Sequence, residues 1–91
     1  MRILIVDDHP IMRVGVRQLI LQEWPDAEVP EAPTLADALS LVQRQPPDAV
    51  VLDLSLPDAS GVESATRMLH ALKNTPILVL SLNAEAAMPR A

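Results

Sequence analysis

Three aspartates and a serine stand where short apolar runs end. Asp7 and Asp8 directly follow residues 2–6 (RILIV), Asp53 sits near the end of residues 49–54 (AVVLDL), and Ser81 closes residues 77–80 (ILVL). Carboxylates brought within a few ångströms repel one another, and one or more keeps its proton unless a cation neutralises them. The economical cation is Mg²⁺, which is hard, prefers oxygen, and is content with one or two carboxylates plus waters and phosphate oxygens. A carboxylate beside bound Mg²⁺ can attack phosphorus and give an aspartyl-phosphate. The metal and a hydroxyl such as Ser81 would then share the charge on the phosphoryl oxygens. The order of the strands places Asp53 between the other groups, so Asp53 is the candidate nucleophile. Taken singly, each residue has a plainer reading. An Asp at a strand end is a turn former or cap, Ser81 caps the next helix, and Asp7-Asp8 is a solvated turn. The functional reading comes from their conjunction at strand ends in one small sheet.

The elements around these residues predict that sheet. The three apolar runs are continuous and rich in branched aliphatics, as strands covered by helices on both faces require. A weaker strand, residues 27–31 (AEVPE), contains Pro30, which lacks a ladder donor and belongs at an edge. Between the strands lie three amphipathic helices. The first carries Met12, Gly15, Val16, Leu19 and Ile20 on one stripe and opens on Pro10. The second carries Leu35, Ala38, Leu39 and Val42, with Thr34 as N-cap and Pro46-Pro47 as its stop. The third carries Ala65, Met68, Leu69 and Leu72, with Ser60 and Glu63 spaced as a capping box. The β-α-β-α-β-α-β order with right-handed crossovers gives a doubly wound parallel sheet of order 2-1-3-4, the start of the flavodoxin-like 2-1-3-4-5. Such sheets bind ligands at the carboxyl ends of the first and third strands, where the winding reverses.

Composition sets the bounds. Ninety-one residues form one domain, and 49% hydrophobic residues with one Trp and no Phe or Tyr make its core aliphatic. No apolar run approaches the roughly 20 residues of a membrane span, and the first residues lack a secretory signal pattern. With no cysteine there is no disulfide and no thiolate chemistry, and a net charge of −5 argues against direct nucleic-acid binding. The expectation is a cytoplasmic domain with no membrane contact.

The run Ile5-Val6-Asp7-Asp8-His9-Pro10, with Arg13 and Gly15 after it, resembles the receiver domain of two-component response regulators, in particular the LuxR/NarL-type branch. Val51-Leu52-Asp53-Leu54-Ser55-Leu56-Pro57, with Gly61 eight residues after Asp53, resembles the family's phosphoacceptor strand and loop, and Val79-Leu80-Ser81 its fourth strand with the switch hydroxyl. The resemblance covers essentially the whole chain. It implies that Asp53 accepts a phosphoryl group from a phosphohistidine on a sensor histidine kinase. It also implies that Asp8 binds Mg²⁺ directly, that Asp7 acts on it largely through water, and that Asp53 and the Ser55 backbone carbonyl are further ligands. Ser81 would bond the phosphoryl oxygen. Receivers continue into a fifth strand bearing a Lys and a fifth helix. Residues 1–91 are therefore expected to be a receiver truncated before that strand, with no output domain in the chain, and Lys73 cannot stand in for the family Lys.

Other residues carry blander expectations. His9 reads as a turn residue at a helix entry, since Mg²⁺ prefers oxygen. His70, Arg13, Arg17, Arg44 and Arg67 read as solvated, Trp24 as core cover, and Asp58 as a turn former. The leading reading is a phosphorylation-controlled switch acting on an output such as transcription, rather than a turnover enzyme. Two others stand beside it. One is a phosphorylation-incompetent interaction or dimerisation module; on any reading, self-association through an exposed fourth strand is expected. The other is an aspartyl-phosphate hydrolase, weakened because Ser55 occupies the place of that chemistry's second Asp.

Overall fold

A computed structural model describes residues 1–80 of the chain. The chain order is β1 (Ile3–Val6), α1 (Pro10–Glu23), β2 (Glu31–Ala32), α2 (Leu35–Arg44), β3 (Ala49–Asp53), α3 (Gly61–Ala71) and β4 (Ile77–Leu80). All strand pairs are parallel and the sheet order is β2-β1-β3-β4, as the strand pattern predicts. No helix among the described residues is long and apolar enough to cross a membrane.

Strand residues alternate between two cores, as a pleated strand buried on both faces must. Leu4, Val6, Val50 and Leu52 pack with Leu35, Ala38 and Val42 of α2 and Met68 of α3. Ile3, Ile5 and Val51 pack on the other face with Ile20 of α1 and Val29. Two helices serve the first face. Among the described residues, α1 alone serves the second.

The expected stripe of α1 is rotated only in part. Ile20 is buried and Val16 packs partly buried beside it, while Leu19 is 64% exposed and Gly15 is open to solvent. Arg13 and Arg17 take the positions nearer the sheet. An Arg13 Nη1 donates to the Asp7 carbonyl at 2.8 Å, and an Arg17 Nη1 to the Val29 carbonyl at 2.8 Å. Both guanidiniums also pair with Glu31, at 3.1 and 3.0 Å. Long basic side chains lay their stems on apolar surface and spend their heads on backbone, which a polarity pattern reads as solvation. A smaller rotation affects α3, where Ser64, Met68 and Leu72 face inward and Leu69 is exposed. Trp24 is half-exposed as well, at the C-terminal end of α1.

Pro30 explains the shortness of β2, expected over residues 27–31. The carbonyls of Glu28, Pro30 and Ala32 accept from the N–H groups of Ile3, Ile5 and Asp7, so Pro30 lies at a position facing β1. It has no N–H to return, and the ladder breaks into a lone bridge between Arg2 and Glu28 and the two-residue β2.

Helix starts are secured by oxygen acceptors. Thr34 Oγ1 accepts from the Asp37 N–H, and Ser60 Oγ from the Glu63 N–H, both at 3.1 Å. Asp58 adds a cap from outside α2. Its Oδ1 accepts from the Leu35 N–H at 2.9 Å and its Oδ2 from the Ala36 N–H at 3.0 Å. The loop after β3 is thereby fastened to the start of α2. Gly61 opens α3 where a Cβ would stand 3.1 Å from Leu54 Cβ and 3.2 Å from its carbonyl oxygen, so a side chain there would need Leu54 to give by a few tenths of an ångström.

Two substitutions test this packing. The two backbone N–H groups hold the Asp58 carboxyl below the usual carboxylate range. Its contribution is present above the unfolded value and lost as pH falls through the lower folded one. Asp58→Ala is expected to lower the urea midpoint at neutral pH, and the deficit should shrink in acid. A deficit that is unchanged in acid would place the effect elsewhere. Ser64 is fully buried and its hydroxyl has no hydrogen-bond partner. Ser64→Ala removes that unpaired group and improves helix propensity, so it should stabilise the fold by about 1 kcal/mol in denaturant titrations.

Candidate functional site

The site forms because β1 and β3 lie side by side in register, Val6 opposite Leu52. The next residues at that end of the sheet are Asp7 and Asp8 after β1, and Asp53, the last residue of β3. Asp53 in turn pairs with Leu80 of β4. Asp7 and Asp53 are 2% and 1% exposed, whereas Asp8 is partly open. The expected convergence of these three carboxylates is therefore present. Ser81 lies outside the described residues.

Each carboxylate has a different set of partners. Asp7 Oδ1 accepts from the backbone N–H of His9 at 2.8 Å and stands 2.9 Å from His9 Nδ1. Asp53 Oδ1 accepts from the backbone N–H of Ser55 at 3.0 Å, a tight turn that binds the loop to the strand end. Asp53 Oδ2 and Asp8 Oδ1 are shielded from solvent and make no hydrogen bond. Unpaired buried carboxylate oxygens are costly and call for a cation or a proton.

His9 is the residue that sequence reasoning underrated. It occupies the N-cap position of α1 in extended conformation, with no side-chain hydrogen bond to the helix. Its ring turns instead to the acids: Nδ1 lies 2.9, 3.0 and 3.4 Å from oxygens of Asp7, Asp8 and Asp53. The only sequence signal was its place one residue after the acidic pair. Arg13 was also underrated, because its bond to the Asp7 carbonyl ties α1 to the strand end that carries the acids.

Electrostatics follow from this geometry. Burial is the largest cause raising the Asp53 carboxyl above its ordinary range. The Ser55 N–H opposes it, and the charge of Asp7 adds to it. His9 is raised too, chiefly by its hydrogen bond to Asp7, with burial opposing and the charges of Asp8, Asp7 and Asp53 adding. Ligand atoms of Asp7, Asp8, His9 and Asp53 all lie within 4.8 Å of one another, so one divalent cation can bridge them. The donor set fits such an ion: carboxylates in excess, two of their oxygens unpaired. Asp53 keeps a free oxygen at the strand end, the attribute of a nucleophile.

Comparison with known proteins agrees with this arrangement. The pattern described as response regulator receiver domain matches residues 3–91. The chain is 34% identical over 90 residues to the transcriptional activator protein ExaE of Pseudomonas putida, covering 99% of this chain and 42% of that protein. It is 33% identical over 81 residues to the nitrate/nitrite response regulator protein NarL of Escherichia coli K12, covering 89% of this chain and 38% of that protein. It thus spans about two fifths of the length of these relatives. Among solved structures it resembles the response regulator TrrA of Thermotoga maritima in complex with Mg(2+)-BeF, with 31% identity and a TM-score of 0.78. That match covers 88% of this chain and 68% of TrrA. A LuxR-family two-component response regulator from Aurantimonas matches at 37% identity and a TM-score of 0.76, over 94% and 64% of the two chains. With its sheet order, its acids at the ends of β1 and β3 and these matches, the chain belongs to the response regulator receiver domain family.

Proposed function

We propose that this chain is a phosphorylation-controlled switch in which Asp53 accepts a phosphoryl group from a phosphohistidine on a sensor histidine kinase. The observation that carries the reading is the state of Asp53. It is buried at the end of β3, one oxygen fixed by the Ser55 N–H and the other unpaired. Holding Oδ1 leaves the lone pairs of Oδ2 for attack on phosphorus. The phosphorus–nitrogen bond of the donor breaks as the new oxygen–phosphorus bond forms, and the freed imidazole leaves with the kinase. Asp7 and Asp8 hold the cation, with the Ser55 carbonyl as a further ligand, and Mg²⁺ is the ion proposed. When bound, it neutralises charge on the phosphoryl oxygens. Ser81 is proposed as the hydroxyl that bonds a phosphoryl oxygen. One named relative is a transcriptional activator protein, so the output proposed is transcription, and the location proposed is cytoplasmic.

Incubation with acetyl phosphate and Mg²⁺, followed by intact-mass measurement, tests the chemistry directly. One added phosphoryl group is expected, abolished by Asp53→Asn and dependent on the metal. A folded sample that gains no mass, or an adduct that survives Asp53→Asn, rejects Asp53 as the acceptor.

A second reading, self-association, is favoured by β4. It is an edge strand among the described residues, with Leu78 60% and Val79 44% exposed. Leu78 also lines an apolar groove of about 260 Å³ with Val16, Leu19, Ile20, Trp24 and Val51. An apolar, uncharged edge is a template for pairing, and a contiguous apolar patch marks an interaction surface. Light scattering at micromolar concentration should find a dimer that Leu78→Lys weakens. A monomeric, folded parent rejects this reading and leaves the phosphoacceptor proposal untouched.

A further inference from the structure

We infer that His9 makes this acidic pocket a mixed nitrogen–oxygen cation site that selects first-row divalent ions of borderline softness, the class of Co²⁺ and Zn²⁺, over Mg²⁺. The inference rests on the reading of Asp7, Asp8 and Asp53 as a cation site, and adds to it a fourth ligand and a preference.

Three separations carry it. Nδ1 of His9 stands 2.9 Å from Asp7 Oδ1, 3.0 Å from Asp8 Oδ1 and 3.4 Å from Asp53 Oδ2. An imidazole nitrogen offers at most one N–H, and here it serves Asp7 alone. Asp8 Oδ1 and Asp53 Oδ2 face the same nitrogen, out of reach of water, with no hydrogen bond. Asp53 is 1% exposed, so its unpaired oxygen is a buried polar atom aimed into the cluster. One proton cannot satisfy three carboxylates, whereas one shared cation can.

The spacing suits an ion as well. Adjacent ligands about 2.1 Å from a common ion stand about 3.0 Å apart in an octahedron and about 3.4 Å apart in a tetrahedron. The three separations from Nδ1 match those values, and the whole set lies within 4.8 Å, so the side chains need only draw together around an ion. His9 is half-exposed at the N-cap position, where that movement is unhindered by helix bonding.

Ligand chemistry then sets the preference. Mg²⁺ takes oxygen ligands and holds its waters, and it gains little from an imidazole. Imidazole nitrogen suits zinc and its first-row neighbours, for which affinity at mixed sites is higher. Carboxylates alone give part of that rise, and the nitrogen gives a part that removal of His9 takes away.

Isothermal titration of the parent and of His9→Gln with MgCl₂ and with CoCl₂ decides it, with the visible absorption of bound Co²⁺ as a report on nitrogen ligation. His70→Gln controls for the second imidazole. The ratio of Co²⁺ to Mg²⁺ affinity is expected to fall by roughly tenfold or more in His9→Gln, with a changed Co²⁺ spectrum, and to stay unchanged in His70→Gln. An unchanged ratio and spectrum in His9→Gln overturns His9 as a ligand and leaves the oxygen site standing. Binding of neither ion by the folded parent overturns the cation site itself. If circular dichroism finds His9→Gln unfolded, His9→Asn takes its place in the same comparison.

Discussion

The register of β1 on β3 is the constraint from which the rest follows. Val6 opposite Leu52 obliges the residues that come next, Asp7 and Asp53, to share one end of the sheet. Both strands are buried on two faces, so the register is fixed by two cores at once and cannot slip without exposing Leu4, Ile5, Val50 and Val51 together. Hydrophobic burial thereby holds like charges at a distance they would not choose. The acids are consequently poised: each available relief, a proton, the His9 ring or a cation, changes the electrostatics of the same few atoms.

The surrounding polar bonds make that end of the sheet stiff. Asp7 is gripped by its own turn, with the His9 N–H on its side chain and Arg13 on its carbonyl. Asp53 is gripped by Ser55, and the loop beyond it is fastened to α2 through Asp58. Three elements therefore meet around the acids through backbone hydrogen bonds rather than through flexible side-chain contacts alone. A change at Asp53 reaches α2 by way of a single loop, residues 54–60, whose two ends are both tied.

Much of this was legible in the residues. Continuous aliphatic runs announced strands buried on both faces, Pro30 announced an edge, and the positions of Asp7, Asp8 and Asp53 at strand ends announced the site. What escaped did so for physical reasons. Arg13 and Arg17 on α1 were misread because they look solvated by type, yet they spend their charge on the carbonyls of Asp7 and Val29 and on Glu31. Leu69 fits the spacing of an inward residue, but Ser64 and Met68 fix the rotation of α3 the other way. The Asp58 cap joins groups 22 and 23 residues apart, beyond any local pattern. His9 was read as a turn residue at a helix entry, which it is, but that reading gave no sign that the turn aims its ring at the acids.

Among the described residues the two borders of the sheet are unlike, and that difference bears on how copies of this chain would meet. At the β2 border the strand is only two residues long. The carbonyl of Val29, which adjoins it on the outer side, is already taken by Arg17. The β4 border carries a four-residue strand with exposed Leu78 and Val79. Growth of a sheet by stacking chain upon chain needs two receptive borders, one to give and one to take. With one border blocked, backbone pairing can only join like to like across a twofold axis, which uses up both receptive borders and stops. The shortness of β2, with Arg17 on the Val29 carbonyl, thus restricts any such assembly to a closed pair instead of a fibre.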